Sequence, residues 1–197
     1  MPKLVDHAAR RREIIQATWR LIGEHGADAA TMREIAREAG FANGALTHYF
    51  ADKEDLLRSA YQYVYEQTNQ RAAAVTHGLA GVAALRAFCQ EVLPLDELRL
   101  HEARVAIAAW SHAVVDPELA RVHGQAMATW HAALVTWLQE ASRAGEVVSA
   151  VDAAVLADQL LAQLTGAQIL ALSGAGALSA ERLLTSLNTF LAALHRP

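Results

Sequence analysis

Apolar residues recur along this chain at intervals of three and four. Ile14, Ala17, Thr18, Leu21 and Ile22 fall on one face of a helix from about residue 8 to 25, which should stop at Gly26. Thr31-Met-Arg-Glu34 has capping-box spacing for a second helix, with Ile35, Ala36 and Ala39 on its buried side and its end near Gly40. Beyond Gly40 there is room for a helix of under three turns, about Asn43 to Tyr49, before Asp52 caps a long one. The long helix carries the stripe Leu56, Ala60, Tyr61, Val64 and Thr68 to about Val75 and ends near Gly78. Five more helices are predicted: 80–93, broken by Pro94; 95–115, broken by Pro117; 117–145; about 152–173; and about 179–195, capped by Ser179. No segment sustains the period-two alternation of a strand, so the pattern predicts an all-α protein of about nine helices.

Composition adds limits. With 197 residues, 53% hydrophobic and 19% charged, the chain can bury a substantial core as one large domain or two small ones. Its single cysteine, Cys89, excludes an intrachain disulfide and a thiolate cluster, and its apolar neighbours predict a small buried side chain. The N-terminus is basic without an apolar signal core, and no apolar run reaches the roughly 18–20 residues that span a bilayer, so a cytoplasmic protein with no membrane partner is expected. A net charge of −4 excludes a uniformly basic coat. Yet residues 1–60 balance nine Lys/Arg against nine Asp/Glu, and Arg10, Arg11 and Arg12 are consecutive, which permits a local positive face.

Two helices joined tightly at Gly40, the second of them short, have helix-turn-helix spacing. Within the short helix Leu46 and Phe50, four apart, are the inward anchors, so the remaining polar and aromatic groups must project outward. Gly44, without a side chain, would let the backbone approach a phosphate. Lys53 stands at the start of the long helix, where the helix dipole offers an ammonium nothing and a phosphate partner would.

Residues 10–57 resemble the DNA-binding domain of TetR-family transcriptional regulators through Thr31, Ile35-Ala36, Ala39-Gly40, Gly44, Tyr49-Phe50, Lys53 and Leu56. Within that family MPKL, the arginine run and GALTHYFADK are most similar to BetI-type regulators, associated with choline-responsive control. The resemblance implies that Thr47, His48 and Tyr49 face the major groove or its phosphates. It makes Asn43 and Ala45 candidates for base edges, and Arg33 with Arg10–Arg12 holders of flanking phosphates, beside Gly44 and Lys53. Phe41-Ala42 stands where the family usually has Val-Ser, so the hydroxyl cap is missing and either Asn43 caps one residue later or the helix starts uncapped.

After residue 57 the nine histidines include no HExxH, and no Gly-rich phosphate loop or GxSxG motif occurs, so neither an enzyme, a metal site nor a cofactor is expected. Aromatic residues at helical spacing read either as core or as the wall of an effector cavity, with Tyr61, Tyr65, Trp110 and Trp130 the candidates. Gln168 falls where the BetI resemblance leads one to expect a tryptophan. The last two helices carry more apolar surface than one layer covers, which predicts a homodimer seam through Leu164, Gly166, Leu187 and Phe190, unless both helices are buried within one subunit. The expected division is a helix-turn-helix DNA-binding domain at 1–51 and a helical effector-binding and dimerisation domain at 52–197. The function this implies is a dimeric repressor that a small molecule releases from a palindromic double-stranded DNA operator. The alternative is a helical ligand-binding module without sequence-specific DNA binding.

Overall fold

The computed structural model describes residues 6–42, 44–148, 150–174 and 178–194. Among these, eight α-helices and one 3-10 helix occur and no strand does: α1 (His7–His25), α2 (Met32–Glu38), the 3-10 helix (Ala45–His48), α3 (Lys53–Thr76), α4 (Gly81–Val92), α5 (Glu97–Ala113), α6 (Pro117–Arg143), α7 (Ala153–Leu172) and α8 (Ala180–Ala193). The nine predicted helices are therefore all present, the third as a 3-10 turn. Their ends obey local chemistry. Thr31 Oγ1 accepts from the Glu34 amide (3.2 Å), Asp52 from Asp55 (2.7 Å), Asp152 from Ala154 (2.7 Å) and Ser179 from Arg182 (3.3 Å). Only half of the capping box forms, because the Glu34 carboxylate turns to Arg37 (2.6 Å).

The chain divides into two compact units. One takes the described residues up to Tyr65 together with His101–Val122; the other takes Glu66–Leu100 and the described residues from His123 onward. This division differs from a cut at residue 51, since the first turns of α3 and much of α5 cluster with the N-terminal helices.

In the first unit the predicted stripes face inward: Ile14, Ala17, Thr18, Leu21 and Ile22 of α1 and Leu56, Ala60, Tyr61 and Val64 of α3 are all buried, as is Thr68 where α3 continues into the second unit. The core joins them with Ile35, Ala36, Leu46, Phe50 and, from α5, Val105. The Thr18 hydroxyl is satisfied by the Ile14 carbonyl one turn back (2.9 Å). Helix α5 lies so close to the end of α1 that a β-carbon on Gly23 would stand 2.8 Å from His101 Cγ, and Arg104 donates to the Gly23 carbonyl (2.6 Å). Asp116 caps α6 and pairs with Arg58 of α3 (2.7 Å); the Leu119 amide first, and then Arg58, hold its carboxyl below the usual carboxylate range.

The second unit is built on Leu85, Phe88, Cys89, Leu134, Leu138, Leu160, Leu164, Leu183 and Leu187, with the Trp130 and Trp137 rings both 5.5 Å from that of Phe88. A deeply buried carboxylate, Glu91, bridges Arg71 of α3 (2.6 Å) and Arg99 of α5 (2.7 Å), so the charge is paired on both oxygens. Cys89 is a buried hydrophobe as expected, and burial pushes its thiol up to about 12. Helix α7 corrects the sequence reading in one respect. At 20 residues with mean hydropathy 1.3 it is long and apolar enough to cross a membrane by composition. Leu156, Ala157, Leu160, Leu164 and Ala167 turn one of its faces into the core of this unit instead.

Candidate nucleic-acid interface and effector residues

Helix α2 ends at Gly40 (φ +73°), and the Phe41 amide returns to the Ala36 carbonyl (2.8 Å), which reverses the chain within three residues. Gly44, at φ +89°, then starts the 3-10 helix. Nothing lies within 4 Å of the position its β-carbon would take, so within the protein itself it is the left-handed backbone conformation that calls for glycine here. Leu46 and Phe50 are the inward anchors, each 1% exposed. Between them Thr47 and His48 point to solvent, with Thr47 Oγ1 donating to the Gly44 carbonyl (2.7 Å), while Ala45 and Tyr49 are half-buried. Asn43 lies outside the described residues.

Around this element the basic residues separate. Arg33 stands out from α2 with its side chain 78% exposed, and Arg12 is exposed on α1. Arg10 is exposed too, paired with Glu13 (2.7 Å) and set 5.7 Å from the Phe41 ring centroid. Arg11 departs from the phosphate-holding expectation: it turns inward, donating to the Tyr49 carbonyl (2.5 Å) and Ser59 Oγ (2.8 Å) over the face of Phe50. The Tyr49 ring packs between His7 and Phe41. Lys53 donates to the Ala27 carbonyl (3.2 Å) and keeps two further donors. His7, Phe41 and Ser59 were missed from the sequence. Of these only Ser59 carried a signal, a hydroxyl on the buried stripe of α3.

The effector candidates fall into separate settings. Tyr61 and Trp110 share a cluster with Ala106, Ala109 and Leu119 in the first unit, which also holds Tyr65. Burial pushes the Tyr61 phenol up to about 12. In the second unit Trp130 donates to Asn69 Oδ1 (2.7 Å), and Gln168 Nε2 to the Val92 carbonyl (3.2 Å) while its own Oε1 is buried without a partner. The dimer candidates require a correction. Leu164 and Leu187, at 3% and 2% exposure, belong to this chain's own core and floor a cleft of about 220 Å³ between α7 and α8. Gly166 lines the same cleft with open space above it, and Phe190 is partly buried against the core. The outward apolar groups of α7 are Val155, Ile169 and Leu170.

A tight turn that carries one short helix outward, anchored by two buried side chains and followed by an all-helical remainder, defines a helix-turn-helix protein. Residues 14–60 match the model of the bacterial regulatory proteins of the tetR family, and residues 81–196 match that of the BetI-type transcriptional repressor C-terminal region. The chain belongs to the tetR family of bacterial regulatory proteins, with a C-terminal region of the BetI type. It is 37% identical to the HTH-type transcriptional regulator PksA of Bacillus subtilis over 114 residues, 57% of this chain and 56% of that one. It is 34% identical to BetI of Escherichia coli over 125 residues, 62% of this chain and 64% of that one. The aligned stretch thus spans less than two thirds of either relative. A transcriptional regulator from Saccharomonospora viridis, solved in complex with choline, superposes with TM-score 0.87 at 26% identity over 94% of this chain and 96% of its own. One from Rhodococcus sp. Rha1 superposes with TM-score 0.83 at 26% identity over 93% of this chain and 95% of that one.

Proposed function

We propose that the chain is a homodimeric transcriptional repressor of the cytoplasm that binds a palindromic double-stranded DNA operator and leaves it when a small molecule binds. Residues 1–51 form the DNA-binding domain and 52–197 the effector-binding and dimerisation domain. The reading rests on one observation above all: Thr47 and His48 are exposed on a short helix whose anchors Leu46 and Phe50 are buried, beside an exposed Arg33. Thr47 and His48 read base edges, with Gly44 and Ala45 at the approach, while Arg10, Arg33 and Lys53 meet phosphates. The effector candidate is choline, which the similar Saccharomonospora viridis regulator holds, met by Tyr61, Tyr65 and Trp110 of the first unit; an aromatic face suits a quaternary ammonium. Two chains meet along the outward face of α7, where Ala162, Gly166 and Ile169 follow Val155 at spacings that keep them together, with Phe190 of α8 at the margin.

Enrichment of duplexes from a random-sequence library tests the reading. Wild type should select a two-half-site sequence with half-sites about 34 Å apart and bind it with a steep negative salt slope. Choline should weaken that complex, and the duplex should weaken choline by the same factor, a coupling of about 1–3 kcal/mol. Ile169→Glu should sediment as a monomer at low micromolar concentration and lose the two-half-site duplex. No enriched sequence would refute DNA recognition; equal choline affinity with and without duplex would refute release by choline; a dimeric Ile169→Glu would refute the seam.

A further inference from the structure

A 3-10 helix of four residues has little stability of its own, since its hydrogen bonds are poorly aligned and its last carbonyls find no partner within it. Gly44, which precedes it, offers no side-chain cap either. What holds this one at its C-terminal end is Arg11. One guanidinium nitrogen donates to the Tyr49 carbonyl (2.5 Å) and another to Ser59 Oγ (2.8 Å), while the guanidinium carbon stands 4.1 Å from the centroid of the Phe50 ring. Asp55 adds a longer ion pair (3.8 Å). The Ser59 hydroxyl donates its own hydrogen bond to the Asp55 carbonyl (2.9 Å), so its lone pair is left facing Arg11. Three elements therefore converge on one planar group: α1 supplies it, the end of the 3-10 helix receives one fork, and α3 receives the other.

We infer that Arg11 is a positioning residue for sequence readout: it fixes the pitch of the Ala45–His48 helix against α1 and α3 and meets no phosphate itself. The inference rests on the DNA-binding reading above. A lysine cannot substitute, because a single ammonium offers neither the fork nor the flat face that stacks on Phe50.

The test uses the full chain, the duplex that wild type enriches, and a shuffled duplex of equal length. A phosphate contact contributes to both duplexes and to the salt slope; a positioning residue contributes to one duplex only. Arg11→Gln is expected to lose about tenfold or more on the enriched duplex, to keep its affinity for the shuffled one within about twofold, and to retain the wild-type salt slope. Arg11→Lys should fail to restore binding. Ser59→Ala, which removes one acceptor and no charge, should shift binding the same way by about threefold. Equal weakening on both duplexes with a slope flatter by about one would overturn the proposal in favour of a phosphate contact, as would unchanged binding to both. Hydrogen exchange on DNA-free protein decides the clamp independently. The Phe50 amide, bonded to Leu46 (2.9 Å), should exchange faster in Arg11→Gln while the amides of α1 and α2 do not, and unchanged exchange overturns the clamp. Failure of wild type to enrich any duplex would instead remove the functional reading.

Discussion

Gly23 and Gly124 both sit inside α-helices, where alanine is preferred to glycine by up to about 1 kcal/mol. Their surroundings are opposite. A β-carbon at Gly124 meets nothing within 4 Å, whereas at Gly23 it meets the base of the His101 side chain, at Cγ 2.8 Å and at Cβ 3.0 Å, the latter fixed by the backbone whatever the rotamer. Gly124→Ala should therefore raise the urea midpoint, and Gly23→Ala should lower it by the equivalent of about 1–3 kcal/mol by forcing α5 away from α1. Parallel shifts of the two midpoints would show that the close approach is dispensable. Arg11 makes the same point about distance. Its place in a run of three arginines announced a charge, but its acceptors lie 38 and 48 residues further along the chain, and nothing local distinguishes it from Arg10 or Arg12.

Helix ends were legible where a side chain answers to its own neighbours. Thr31, Asp52 and Ser179 cap as their spacing predicts, and Asp152 caps in the same way, because the acceptor and the orphan amide are two or three residues apart. The 3-10 helix was legible in position and not in type: with Ala42 in place of a hydroxyl and a left-handed Gly44 at its start, too few residues remain before Phe50 for an α-helical turn to propagate. Since the space around Gly44 is open, its replacement is a purely conformational experiment. Gly44→Ala should cost about 1–2 kcal/mol and Gly44→Asn measurably less, because asparagine tolerates the left-handed region. Thermal unfolding of both variants measures the order, and an alanine variant as stable as wild type would deny that this φ matters.

Over the whole molecule, burial of titratable groups ties stability to pH on the alkaline side. The Cys89 thiol, ordinarily near 9, is pushed up to about 12, and the Tyr61 phenol rises from 10 to about 12. Above about pH 9 the unfolded chain releases protons that the folded chain retains, so the folded state binds more protons and stability falls as pH rises toward 12. Below pH 9 these two groups contribute no slope. Urea midpoints measured from pH 8 to 11 should decline, and Cys89→Ala should decline less steeply; identical slopes would mean that the thiol ionises freely in the folded protein.

What the amino-acid sequence determined by itself was local: the all-helical class, the order and approximate ends of nine helical elements, the caps at Thr31, Asp52 and Ser179, and which stripe of α1 and α3 turns inward. Each follows from the 3.6-residue period or from hydrogen bonds spanning a few residues. Only the tertiary structure decided partners. An apolar stripe announces that a side chain will be buried without naming what covers it, because the hydrophobic effect has no direction. Leu164 and Leu187 had the pattern of a subunit seam and went to the protomer's own core, leaving Gly166 and Ile169 outward. Arg11 had the pattern of a phosphate contact and went to a carbonyl, a hydroxyl and a ring that become neighbours only once α1, the 3-10 helix and α3 have packed together.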